Sequence, residues 1–188
     1  MFWGLTNKRI QFKIYALFLL ADGQWRREEQ DFLNTICKEM ELDEAVKREI
    51  ITYCQGLGIT KGDHSDEVIQ ELDKALSGGF MSGFSYDSCL QVETVWTLIN
   101  LGYADQEYSE SEKRVVQHLI EKWEIKTEIG SELTDTAETI LLLTKHEDWL
   151  KTIGLPYDET KKRLEIVEQQ IQLMFENIQA TISEADAV

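Results

Sequence analysis

The chain has one proline in 188 residues, three cysteines, and 19 basic residues against 35 acidic ones. Each scarcity excludes something. With a single proline, almost nothing interrupts a helix from within. The cysteines, Cys37, Cys54 and Cys89, are odd in number, scattered and without a CxxC pair. That excludes a disulfide framework and a thiolate zinc site of the usual spacing. Cys37 shares an apolar helical stripe with Leu33 and Ile36, so the expectation is buried thiols in a reducing cytosol. The formal net charge of −16 and isoelectric point near 4.6 argue against nucleic acid as a main partner, because phosphates are neutralised by clustered Lys and Arg. They also disfavour electrostatic attachment to anionic lipid.

Long hydrophobic runs are missing as well. The apolar stretch from Ile14 to Ala21, behind Lys8, Arg9 and Lys13, is too short to span a bilayer, and no small-x-small cleavage site follows it. It reads as a buried helix rather than a signal or anchor, in a soluble cytoplasmic protein. Enzyme signatures are absent too. His64, His118 and His146 are far apart, with no HExxH, GxSxG, Walker-type loop or dinucleotide fingerprint. The glycine-rich stretch from Ser77 to Phe84 has no Lys-Ser/Thr after Gly83 and no strand before it, so it reads as a hinge. The expectation is a protein that is not an enzyme.

What is present is a hydrophobic fraction of 43% with five Trp, enough for one well-filled core over residues 1–188. One acidic motif occurs twice. Ala21-Asp22-Gly23-Gln24-Trp25 followed by Glu29 recurs as Ala104-Asp105-Gln106-Glu107-Tyr108 followed by Glu112, at an offset of 83 residues. Apolar positions keep the same register, Phe32 with Val115, Leu33 with Val116, Ile36 with Leu119 and Met40 with Trp123. A period this long implies a duplicated helical hairpin unit rather than a solenoid.

Apolar spacing of three and four residues predicts helices over about 8–21, 26–41, 85–103, 109–124, 132–151 and 158–183, with two more opened by Asp43 and Ser65. The fold class is therefore all-α: two pseudo-repeated helical hairpin units, about 8–77 and 84–153, plus an extra C-terminal helix over about 157–184. That last helix carries Leu164, Val167, Ile171, Met174, Ile178 and Ile182 on one stripe and would be roughly 40 Å long. Its distal part, through Met174, Ile178 and Ile182, is expected to present a face for a second copy or a helix-docking partner.

In each repeat a helix ends, an Asp opens the turn, and a Glu follows seven residues later. Two such turns brought together would gather Asp22, Glu29, Asp105 and Glu112, with Glu107 as a fifth carboxylate. Hard divalent cations such as Ca²⁺ or Mg²⁺ take clustered oxygen ligands of this kind. The same residues also have local roles. Ser109 and Glu112 form a capping box, Glu28 and Glu29 favour a helix N-terminus, and Asp22 and Asp105 suit Asx-turns. Arg26, matching Ser109, leaves the first box half made. Capping, ion binding and a protein-contact surface all stay open on this reading. An EF-hand is excluded: position six is Glu110 and position twelve Val116 in the second loop, and Arg27 and Leu33 hold those places in the first.

The helix ending Leu19-Leu20-Ala21-Asp22-Gly23 with Glu29, and its copy Gly102-Tyr103-Ala104-Asp105 with Glu112, resembles the tellurite-resistance TerB-like family over about residues 8 to 153. The resemblance implies a compact all-helical domain with duplicated halves. It also implies divalent-metal binding at Asp22, Glu29, Asp105 and Glu112, and a place in membrane-linked stress-response complexes. Gln106 in place of a second glycine and the extra C-terminal helix depart from the pattern. The expectation is a stress-response binding module holding a divalent ion, with a metal-free adaptor using the last helix as the alternative.

Overall fold

The computed structural model describes residues 2–77, 87–154 and 156–185, and these form eight α-helices with no strand among them. In chain order they are α1 (Phe2–Phe18), α2 (Arg27–Glu39), α3 (Glu44–Gly56), α4 (Ser65–Ser77), α5 (Ser88–Gly102), α6 (Glu110–Lys122), α7 (Thr127–Thr152) and α8 (Tyr157–Glu184). Of the glycine-rich hinge read from Ser77 to Phe84, Ser77 is the last residue of α4, and 78–84 lies outside the described residues.

The boundaries follow local chemistry. Asp43 accepts the Ala45 amide at 2.7 Å and opens α3, and Asp87 accepts the Leu90 amide at 2.8 Å and opens α5. Helix α1 ends at Phe18 rather than 21, because the next residues tighten into three-residue turns, Leu20 N to Leu17 O at 3.0 Å and Ala21 N to Phe18 O at 2.9 Å. Helix α7 begins at Thr127, five residues earlier than the periodicity indicates. Gly130 is helical there because a Cβ would stand 3.0 Å from Ile120 Cδ1, so the glycine sits at a close approach rather than a break.

The offset of 83 reappears in the backbone. Helices α1, α2 and α3 correspond to α5, α6 and the start of α7, and α2 and α6 begin and end at equivalent positions. Their N-caps have φ −73, ψ 157 at Arg26 and φ −73, ψ 158 at Ser109. Left-handed residues match too, Gly23 (φ 66) with Gln106 (φ 72) and Glu41 (φ 52) with Glu124 (φ 54). Gln11 donates to Thr94 Oγ1 at 3.2 Å, and these residues are themselves 83 apart. Positions separated by the offset therefore meet at this point.

Helices α1 and α5 are the centre. Phe12, Leu17, Phe18, Leu98, Ile99 and Leu101 are all fully buried there. Leu33, Ile36, Val115, Val116 and Leu119 close over them from α2 and α6, and Phe32 is half-buried beside them. Cys37 and Cys54 are buried thiols and Cys89 is half-buried. Trp25 and Tyr108 pack against this core from the two turns. The α3–α4 loop is tied onto the first turn, Gly62 N to Asp22 O at 3.1 Å and His64 N to Ala21 O at 2.8 Å. A Cβ on Gly23 would lie 1.9 Å from the Thr60 carbonyl oxygen, so only glycine fits there.

Helices α7 and α8 form the longest packed pair, and their course corrects one sequence expectation. Ile178 and Ile182 belong to the main core, 1% and 8% exposed, and Met174 is half-buried. The distal part of α8 is therefore what seats the helix on the body, and it presents no docking face. Beyond Ile140 of α7 and before Met174 of α8, the two helices run on as an arm whose seam, with Leu150 and Val167 buried, is separate from the main core. No helix among the described residues is long and apolar enough to cross a membrane.

Truncating the chain after Gln170 is expected to unfold the body, and Ile178→Ala to cost about 3 kcal/mol, as for other buried Ile and Leu truncations. Urea unfolding followed by helical circular dichroism checks both. An unchanged midpoint for Ile178→Ala would contradict the placement of α8.

Candidate functional site: the joined acidic turns and the arm

The two turns are built alike. Asp22 Oδ1 accepts the Gln24 amide at 2.8 Å, and Asp105 Oδ1 accepts the Glu107 amide at 2.9 Å. Each Asp thus closes an Asx-turn after a helix end. Glu112 accepts the Ser109 amide at 2.7 Å while Ser109 Oγ accepts the Glu112 amide at 3.2 Å, a complete capping box. Glu29 accepts the Arg26 amide at 2.8 Å, but the Arg26 side chain carries only donors, so the first box is half made.

What Arg26 does instead joins the site. Its guanidinium is ion-paired with Asp105 Oδ2, lies 3.7 Å from Asp22 Oδ2, and meets Glu107 Oε2 at 3.1 Å. Three of the five candidate ligands, Asp22, Asp105 and Glu107, therefore converge on one cation that the protein itself supplies. Glu107 is largely exposed, whereas the Asp22 and Asp105 carboxylates are both buried at the turns. Glu29 and Glu112, 1% and 2% exposed, stand behind them, each with an oxygen committed to a cap amide. Among the described residues, no group of three His, Cys, Asp or Glu side chains is arranged to hold a metal ion. The turns as they stand do not fit a resident cation, because the guanidinium takes the central place.

One guanidinium serves four buried carboxylates. Burial first, and then the negative charge of Glu112 and Asp22, push the Glu29 pKa up to about 7. Burial first, with Asp22 adding to it, pushes Glu112 up to about 7 as well. The cap amides pull the other way and do not outweigh the burial.

Sequence reasoning missed Arg26, although its position opposite a capping Ser was a signal. It also missed a smaller cluster. Asp73 of α4 takes His118 Nε2 and Lys122 Nζ of α6, both at 2.9 Å. Burial opposes the Asp73 charge, but these two partners prevail and hold its pKa low.

The arm is the second candidate surface. Leu142 and Trp149 on α7 are 59% and 52% exposed, and Ile166 and Leu173 on α8 are similarly bare. His146 stacks on Trp149 at 5.4 Å. On α7 this stripe lies about 110° behind the seam positions Leu143, Glu147 and Leu150 at 3.6 residues per turn. On α8, Ile166 and Leu173 lie about 130° behind Leu164, Val167 and Ile171. The helices are antiparallel, so two offsets in the same sense put both stripes on one side of the hairpin. Gly130, Leu133 and Ala137 of α7 are buried against the body, and Asp135 lines the cleft between α6 and α7 with Tyr108, Lys113 and Val116. No family model, curated protein or solved structure matches the chain.

The titration of Glu29 and Glu112 has a defined sign. Both folded pKa values are raised above the ordinary 4.5, so the stability these groups contribute is complete below pH 4.5 and is lost as pH rises through about 7. The fold is expected to be about 5 kcal/mol less stable at pH 8 than at pH 5 through this pair, close to two pH units for each of two groups at about 1.4 kcal/mol per unit. In Glu29→Gln/Glu112→Gln the amide oxygens still accept the cap N–H groups, and the difference between the two pH values should shrink. Denaturant midpoints at both pH values test this, and an equal loss in wild type and variant would show that the pair does not titrate in that range.

Proposed function

We propose that the chain is a binding module rather than an enzyme, and that it recruits a protein partner through the outer face of the α7–α8 arm. The observation that carries the reading is the row of Leu142, Trp149, Ile166 and Leu173, all more than half exposed on one side of a hairpin whose own seam is already filled. An apolar row rimmed by polar side chains on a projecting helix pair is the kind of surface that helical partners cover. The net charge of −16 supports a polypeptide partner over nucleic acid or anionic lipid. On the TerB-like resemblance, such a module would act in a stress-response complex, as a cytoplasmic component of an assembly at a membrane.

A divalent cation held by the acidic turns is the second reading. It is favoured by the meeting of Asp22 with Asp105 at Arg26, which leaves the junction with more carboxylates than cations. Ca²⁺ or Mg²⁺ would have to displace the guanidinium.

Two measurements separate these readings. A photoreactive residue at Leu142 is expected to give polypeptide adducts in the producing cell, with none from the same group at Thr35, an exposed site on α2. Ile166→Glu should remove them, and equal adducts from both sites would sink the adaptor reading. For the cation, melting of wild type and Arg26→Met is compared with and without millimolar Ca²⁺ or Mg²⁺. An ion at 100 times its dissociation constant stabilises by about 2.7 kcal/mol. The cation reading expects a larger rise in the variant, and it is lost if neither protein responds.

A further inference from the structure

We infer that the cleft between α1, α2 and α5 is a binding site for a small organic cation, an ammonium group carried on an apolar body. The cleft has a volume of 620 Å³, with Phe175 of α8 at its edge. Sites for small molecules run from about 300 to 1,000 Å³. Phe175 is two residues from Leu173, about 200° round the helix, so the cleft and the outer face of the arm look different ways. The site is therefore independent of the adaptor reading. Its walls, floor and rim together select the occupant.

The walls are apolar and aromatic. Phe32, Ile36 and Met40 repeat at four-residue spacing, so one face of α2 lines the cleft. Trp96 of α5 and Phe175 of α8 add a pair of rings, with centroids 6.2 Å apart and planes at 80°. Two rings held edge to face make a corner, and the quadrupole of each ring face attracts a cation. Trp96 is anchored in the core while Phe175 is 39% exposed, so the corner is reachable from solvent.

The floor is polar but neutral. The buried Tyr15 hydroxyl lies among the side chains of Thr97, Thr94 and Gln11. Thr94 and Thr97 donate to the Leu90 and Glu93 carbonyls at 2.7 and 2.9 Å, and Gln11 donates to Thr94 at 3.2 Å. These groups satisfy one another and carry no charge. The charge of the occupant is therefore decided at the rim.

There, acid outnumbers base. Glu39 of α2, with Asp87 and Glu93 at the start of α5, lines the cleft, and Lys8 is the cation among its lining residues. None of the three carboxylates makes an ion pair among the described residues, and Asp87 spends one oxygen on the Leu90 amide at 2.8 Å. Glu93 shows the consequence. It is exposed at the rim, yet burial of its carboxyl first, and then the negative charge of Asp87, push its pKa up. A cation entering the cleft relieves both carboxylates, and an anion meets repulsion. A bare metal ion does not suit the site. Among the described residues these carboxylates are not grouped to chelate one, and an ion without an apolar body leaves Phe32 and Met40 uncovered. An organic ammonium meets both demands.

The test is an amide chemical-shift titration of the full chain with n-hexyltrimethylammonium, n-hexanol and n-hexanesulfonate, which share one alkyl chain and differ in head charge. At ordinary ligand efficiency a probe of about ten non-hydrogen atoms has a dissociation constant of about 0.2 mM. Saturable shifts from the ammonium probe are expected on α1, α2 and α5 and at the Trp96 indole, with the other two probes about tenfold weaker. Glu93→Gln should weaken the ammonium probe about fivefold. Phe175→Leu, which keeps apolar area and loses the ring, should weaken it about threefold. Lys8→Met should tighten it about twofold by removing a like charge. Glu93 and Phe175 are exposed, so both variants keep the fold, which the same spectra report. Equal binding of hexanol, or no loss in Glu93→Gln, overturns the choice of a cation. Shifts confined to another surface, or no saturation up to about 10 mM, overturn the site. Weaker binding in Lys8→Met overturns it too, since the lysine would then hold an anionic group of the ligand. Adducts at Leu142 are unaffected by any of these outcomes, so the adaptor reading stands or falls separately.

Discussion

The Arg26 guanidinium is the interaction on which the joining of the two halves depends. It leaves the cap position of α2 without a side-chain acceptor and crosses to the turn between α5 and α6, where Asp105 waits. Without it, Asp22 and Asp105 would face each other in a site that already buries Glu29 and Glu112. Removing one partner of a buried charge pair leaves the other uncompensated and typically costs 3–5 kcal/mol. The halves are thus held at one point by charge and along α1 and α5 by apolar burial, and the two demands are met by different residues. Local chemistry makes each turn, and a single long side chain makes them one site.

The excess of carboxylates over cations at that site gives the junction its sensitivity to proton and ion. Two glutamates held near neutral pKa keep the site from reaching full negative charge. A proton, a guanidinium or a divalent cation would each relieve the same repulsion, and the chain has chosen the one it can carry covalently. The distant α7–α8 arm has no part in this balance. Its exposed surface is set by side chains that neither the core nor the turns require.

Much of this was legible in the sequence where the physics is local. The offset of 83 predicted matching turns because an Asx-turn and a cap are formed within a few residues, and Asp22, Asp105, Ser109 and Glu112 all sit as their spacing indicates. The helical class followed from apolar spacing in the same way. Arg26 stood out in sequence only as a missing cap; its role was not legible, since its partner Asp105 is far along the chain and only the three-dimensional joining of the turns brings them together. Helix α8 misled for a different reason. Its stripe from Leu164 to Ile182 is a real one, but a helix longer than the body leaves one end beyond it, and periodicity alone cannot say which end; the C-terminal end, with Ile178 and Ile182, is the one seated in the core.

The two turns share a backbone path but not a neighbourhood. At Gly23 the Thr60 carbonyl lies over the α-carbon, and the α3–α4 loop is bonded to the turn on both sides. At Gln106 the same left-handed backbone carries an exposed side chain. One position therefore admits a single amino acid, while its twin admits any residue that tolerates positive φ, with Asn, Asp and Gly the most comfortable. A side chain added at Gly23 would disturb the turn and the α3–α4 loop together, whereas a substitution at Gln106 alters only surface, one residue away from the Asp105 that holds Arg26.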